Sequence, residues 1–146
     1  IRTELMEYGY LRFRKNKNKK ALQKSKPFHY KSSDGFDIYV GKNNLQNDEL
    51  TMKTATANDW WFHTKEVPGS HVIVKTNGRE LSDTAYEEAA ALAAFYSKAN
   101  NSTKVAVDYT LRKHIKKPAG SVPGYVIYHT NYSMYVNPSD EKVTLI

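Results

Sequence analysis

The sequence predicts an α+β domain: a mostly antiparallel sheet with one long alanine-rich helix packed on it, preceded by the tail of a longer helix. Three observations carry this expectation. Short β-like runs bracket turn sequences, at 28–31 and 36–42 around Ser32-Ser33-Asp34-Gly35, and at 59–65 and 71–75 around Pro68-Gly69-Ser70, so hairpins outnumber βαβ units. One segment, TAYEEAAALAAFYSKA (84–99), is dense in alanine, the best helix former. At the start, Leu5, Tyr8 and Leu11 share a helical face and Gly9 weakens the helix near its end.

The chain has 146 residues, 40% of them hydrophobic and 25% charged, which suits one globular domain with a single core. It has no cysteine, so disulfides, cysteine-ligated zinc, iron–sulfur clusters and thiol nucleophiles are excluded. No apolar run approaches the roughly 18 residues of a membrane helix, and no signal peptide is visible. A cytoplasmic protein with no membrane partner is therefore expected. The chain opens on Ile1 and is read as part of a longer protein.

Charge is unevenly placed. The net charge is +7, yet residues 1–31 hold ten basic side chains against Glu4 and Glu7, a local +8. The remaining residues, 32–146, hold twelve against thirteen, or −1. A near-neutral body with a basic arm points to a polyanionic partner. The chain divides into 1–27 (helix end and basic linker), 28–136 (the folded domain) and 137–146 (a partly loose tail).

Within the body, Asp48 is expected to cap a short helix in which Leu50 and Met52 contribute apolar surface. In the long helix, Thr84 with Glu87 fits a capping box, and Ala85, Ala89, Leu92 and Tyr96 line one face. In TKVAVDYT (103–110), Val105 and Val107 point one way, Ala106 and Asp108 the other. YVIYH (125–129) and YSMYV (132–136) read as a last hairpin around Thr130-Asn131. The count is six or seven strands, one long helix and one short one.

Candidate chemistry concentrates in DWWFHTKEVPGSH (59–71). Strand alternation sets Asp59, Trp61, His63 and Lys65 on one face, and Trp60 and Phe62 on the other. An indole in a polar row suits stacking on a base while charges hold phosphates; the plainer reading is an amphipathic exposed face. Gly69 lets backbone approach a ligand, and Ser70 and His71 can donate to phosphate, unless the segment is a simple turn. Lys42, Asn43, Asn44 and Asn47 lie in an amide-rich stretch that can read base edges or sugar hydroxyls, or can bond to itself. Arg112, Lys113, Lys116 and Lys117 form a cationic loop that can clamp a phosphate backbone, against the commoner solvated charge run.

Catalysis has thin support. Asp59, His63 and His71 are the candidates, but no metal-ligand spacing or HExxH accompanies them, and Ser70 and His71, as strand neighbours, point opposite ways. No Walker lysine loop or GxGxxG is present. No enzyme activity, metal site or cofactor is expected.

The ordered series GKNNLQNDELT, DWWFHTKEVPGSHVIV, EEAAALAAFYSKA, VAVDYT, KKPAG and PGYVIY closely resembles the NFACT-R domain, the RNA-binding part of NFACT proteins, over about 28–136. Bacterial members are called RqcH, and many carry the older label fibronectin-binding protein A; by the same resemblance, residues 1–26 look like the end of the coiled-coil helix that precedes the domain. The resemblance implies ribosome-associated quality control: binding of tRNA and of large-subunit RNA on the obstructed subunit, in support of mRNA-independent alanine tailing, with bond formation left to the ribosome. Asn43, Asn44, Asn47, Asp59, Trp61, His63, Lys65, Pro68, Gly69, Ser70 and His71 match the family's signature, and Lys113–Lys117 with Pro118 its late loop. Trp60 stands where aliphatic residues are common. Rival readings are a fibronectin-binding adhesion module, an RNA binder tied to tRNA modification, and an RNA-cleaving enzyme using Asp59, His63 and His71.

Overall fold

The computed structural model describes residues 25–146; the helix end and most of the basic linker expected at 1–27 lie outside them. Seven strands form one antiparallel sheet: β1 (Phe28–Lys31), β2 (Asp37–Val40), β3 (Trp60–Thr64), β4 (Val72–Lys75), β5 (Val105–Leu111), β6 (Tyr132–Val136) and β7 (Thr144–Leu145), in the order β6-β5-β3-β4-β2-β1-β7. The short helix α1 (Asn44–Glu49) continues into one π-helical turn, Leu50–Thr54. The long helix α2 (Asp83–Phe95) packs on one face of the sheet.

Alternation along the strands makes two cores. Ile38, Val40, Phe62, Val72, Val74, Val105 and Val107 meet the alanines of α2, whose small side chains let the helix settle close to the sheet. Each such large side chain removed from water contributes about 1.5–3 kcal/mol before conformational entropy is counted. On the opposite face Trp61 and Ile73 meet Leu50, Ala55 and Ile115, with Val126 and Tyr128 packed against them. That second face is therefore roofed by the π-helical turn and the 112–128 loop.

Several local expectations change. The first two hairpins and the facing of Val105 and Val107 match the structure. The cap of α2 is Ser82, not Thr84: its extended backbone lets the side chain accept from Ala85 N–H at 3.1 Å. The helix stops at Phe95, because Tyr96–Lys98 turns to pair with Pro68–Ser70. The cap of α1 is Asn43, not Asp48; its side chain accepts from Gln46 N–H, and the Gln46 side chain accepts from Lys42 N–H. Residues 125–129 do not pair with β6. Val126 and Tyr128 are spent on the roof, Ile127 bridges only Lys116, and β6 pairs with β5. The tail contributes β7, which pairs with β1.

Candidate nucleic-acid interface

Two neighbouring depressions share Pro68. The first, about 330 Å³, lies between the start of α1 and the end of α2, lined by Lys42, Asn43, Asn44 and Asn47, by Pro68, Gly69 and Ser70, and by Tyr96, Ser97 and Lys98. The tertiary fold thus joins the amide stretch to the Pro-Gly-Ser turn. Ser70 N–H donates to Tyr96 carbonyl at 3.2 Å, and Lys98 N–H to Pro68 carbonyl at 2.9 Å. This close pairing is why position 69 is glycine: a Cβ there would meet Ser97 Cβ at 2.9 Å and Thr64 Oγ1 at 3.0 Å. Lys42 and Asn44 are exposed, and Lys98 is exposed on the opposite wall. Two ammonium groups flanking amides and a hydroxyl can hold a phosphate and its ribose.

The second depression, about 480 Å³, is lined by Trp61, His63, Thr64, Glu66, Val67, Pro68, His71, Gly124, Tyr125, Val126 and Tyr128. His63 stacks on Trp61 with ring centres 5.8 Å apart, and Tyr125 is 52% exposed at the rim. The Trp61 indole N–H donates to His71 Nδ1 at 3.1 Å, with Thr51 Oγ1 2.7 Å from the same nitrogen. Burial, then the adjacent His63, pushes His71 down to about 3. Burial lowers His63 too, despite contacts with the Thr64 and Gly69 backbone and the charge of Asp108. Both imidazoles are neutral at pH 7, so the cleft offers ring faces and single hydrogen bonds rather than positive charge.

The expected open face of Asp59, Trp61, His63 and Lys65 is corrected. Trp61 is 1% exposed beneath the roof, so it forms part of a cleft floor and not a free stacking surface. Asp59 is also 1% exposed. Its carboxylate takes Thr56 N–H at 2.8 Å and Thr76 N–H at 2.9 Å and pairs with Lys75 Nζ at 2.7 Å. Burial alone would raise its pKa, but these partners outweigh it and hold the carboxyl below its usual range. His71 is buried, and so is Asn47, whose Oδ1 accepts His71 N–H at 3.1 Å. His63 remains half-buried at the cleft, and Lys65 is exposed.

The cationic loop is also divided. Lys113 and Lys116 are exposed, but Arg112 and Lys117 turn inward. Arg112 donates to Ile115 carbonyl at 3.3 Å. Lys117 Nζ meets Asp48 at 2.9 Å and donates to Val122 carbonyl at 2.7 Å. None of these four residues lines either depression. Sequence reasoning missed Tyr96, Ser97, Lys98 and Tyr125. A lysine closing a helix reads as a partner for the helix dipole, and Tyr125 read as one residue of a strand.

No helix among the described residues is long and apolar enough to cross a membrane. The sequence profile described as the NFACT protein RNA binding domain matches residues 26–129. The chain is 43% identical over 148 aligned residues to the Rqc2 homolog RqcH of Bacillus subtilis, covering 98% of this chain and 25% of that protein. It is 45% identical over 144 residues to the RqcH of Streptococcus suis, covering 98% of this chain and 26% of that one. A solved structure of the C-terminal part of the fibronectin/fibrinogen-binding protein from Streptococcus suis matches with a TM-score of 0.85 at 43% identity, covering 99% of this chain and 58% of that chain. The chain therefore spans about a quarter of the length of these RqcH relatives. With a profile match across most of the chain and a solved relative of the same fold, this protein belongs to the NFACT protein RNA-binding domain family.

Proposed function

We propose that this chain is the RNA-gripping domain of a cytoplasmic ribosome quality control factor, and that it holds tRNA and large-subunit RNA on an obstructed subunit during mRNA-independent alanine tailing. It acts as a binder, and peptide-bond formation belongs to the ribosome. The observation that carries this reading is the amide-lined groove flanked by Lys42 and Lys98, beside a cleft with neutral His63 and exposed Tyr125. The lysines neutralise phosphates and release counterions, while the amides and rings contact sugar and base. The basic excess in residues 1–31 adds long-range attraction. His71 does not suit acid–base catalysis near neutral pH, because its pKa of about 3 and its buried hydrogen bonds hold it neutral.

The test is a titration of the 146-residue chain with labelled tRNA and with large-subunit RNA fragments across salt. Affinity should fall steeply between roughly 50 and 200 mM salt, and Lys42→Ala with Lys98→Ala should weaken both RNAs and flatten the slope. Unchanged affinity in that double variant would remove the groove from the interface. A second reading, fibronectin binding, draws on the name of the similar Streptococcus suis protein. Fibronectin affinity above tRNA affinity at equal salt would favour it.

A further inference from the structure

The helix face of the sheet carries another depression, at the other end of α2 from the groove. It is about 450 Å³ and is lined by Trp60, Tyr86, Tyr109 and Tyr132 with Met134, and by two carboxylates, Asp83 and Glu87. The 13 residues of α2 separate the two regions by roughly 20 Å. Trp60 meets Tyr86 edge-on at 4.9 Å, Tyr86 lies 5.5 Å from Tyr109, and Tyr109 lies 5.5 Å from Tyr132, its register partner across β5 and β6. These rings are only partly used as core. Tyr132 is 61% exposed, and Trp60, Tyr86 and Tyr109 are each half-buried.

The apolar surface left open here is too small for a broad hydrophobic interface and suits contact with a single side chain. The carboxylates specify which partner. Asp83 sits in the first turn of α2, where its charge suits the helix dipole, but Glu87 is a full turn further on and gains nothing from that. Both line the depression, and no lysine or arginine does. The negative charge at neutral pH comes from Asp83 and Glu87 themselves; the Tyr86 phenol, pushed up to about 12 chiefly by burial, stays neutral beside them. A phosphate chain would be repelled here. A cation resting on ring faces between two carboxylates would be held by charge and by the ring quadrupoles together.

We propose that Trp60, Tyr86, Tyr109 and Tyr132, with Asp83 and Glu87, form an aromatic cage that takes a lysine or arginine side chain from a basic segment of a partner protein. The cage lies outside the RNA groove, so one domain can hold RNA at the C-terminal end of α2 and a basic protein segment at its N-terminal end. Met134 closes the apolar side of the cage, where it can pack against the alkyl stem of the incoming side chain.

The experiment is an anisotropy titration of the full 146-residue chain with a fluorescein-labelled peptide of Gly-Lys repeats, and with the same peptide acetylated on every lysine. The acetylated peptide should bind at least about tenfold more weakly, and Tyr132→Ala should weaken the lysine peptide about fivefold or more. Asp83→Asn with Glu87→Gln should do the same and guards against a folding defect in the tyrosine variant. In both variants tRNA affinity should stay within about twofold of the parent. Equal binding of the lysine peptide by parent and variants overturns the proposal. So does a loss of tRNA affinity in Tyr132→Ala without a change in peptide binding, which would make the rings an RNA-stacking face.

Discussion

Trp61 and His71, ten residues apart in the chain, share one buried hydrogen bond: the indole N–H donates to imidazole Nδ1 at 3.1 Å. An imidazolium would carry a proton on that nitrogen, so the bond exists only while His71 is neutral. The contact ties β3 to the start of β4 and, through Thr51, to the π-helical roof.

Stability should therefore fall with acid in a defined window. The folded pKa of His71, about 3, lies below its ordinary value of 6.5, so the unfolded chain binds a proton that the folded chain refuses. The contribution is complete above about pH 6.5 and is lost progressively as the pH falls towards 3, at up to about 1.4 kcal/mol per pH unit for one group. His63, also lowered, steepens the same slope. Urea midpoints measured from about pH 8 to 4 should decline below roughly 6.5, and His71→Gln should flatten that decline. A parent curve that stays level across this range would contradict the buried neutral imidazole.

Gly41→Ala should loosen the seat of α1 against the segment that leads into β4. A Cβ at Gly41 would lie 2.0 Å from Asn47 Oδ1, the atom that accepts His71 N–H. The loss should be about 1–3 kcal/mol, from displaced packing and an unpaired buried N–H. Gly120 is the contrast. Its φ is +77° and a Cβ at that position would meet nothing within 4 Å, so alanine there costs only local backbone strain. That strain is about 1 kcal/mol. Thermal melts of the two variants should rank in that order.

Lys116 and Lys117 should separate cleanly. Lys116 is exposed, so Lys116→Ala should leave stability within about 0.5 kcal/mol. Lys117 links Asp48 of α1 to the carbonyls of Val122 and Tyr125, and Lys117→Ala should cost about 1–2 kcal/mol. RNA affinity in Lys117→Ala should recover at lower temperature if loosening of the loop is its cause. Matching melting curves for the two variants would contradict the inward role of Lys117.

Asp59→Ala should be the most costly of these changes, at about 3 kcal/mol. It leaves the N–H groups of Thr56 and Thr76 without their acceptor and takes the carboxylate from Lys75, which keeps the Thr54 carbonyl at 3.1 Å. Asp59→Asn should recover part of the loss by accepting one N–H. Denaturant unfolding of both variants checks this, and an Asp59→Ala variant as stable as the parent would mean that the carboxylate holds nothing in place.

Part of this molecule is legible in its order of residues. Alternation in β3 and β5 separates the two faces, the alanines of α2 mark the layer that lies on the sheet, and Ser32–Gly35 marks the first turn, because these are short-range properties of backbone geometry and side-chain size. The meeting of Lys42 and Lys98 across one groove, the burial of Trp61 and Asp59, and the inward turn of Lys117 were decided by the tertiary structure. Alternation says which residues share a face, but not whether a distant segment will cover it. Here the 112–128 loop lies over Trp61, since hiding that indole with Ile115, Val126 and Tyr128 removes more apolar surface from water than leaving the face open to a ligand.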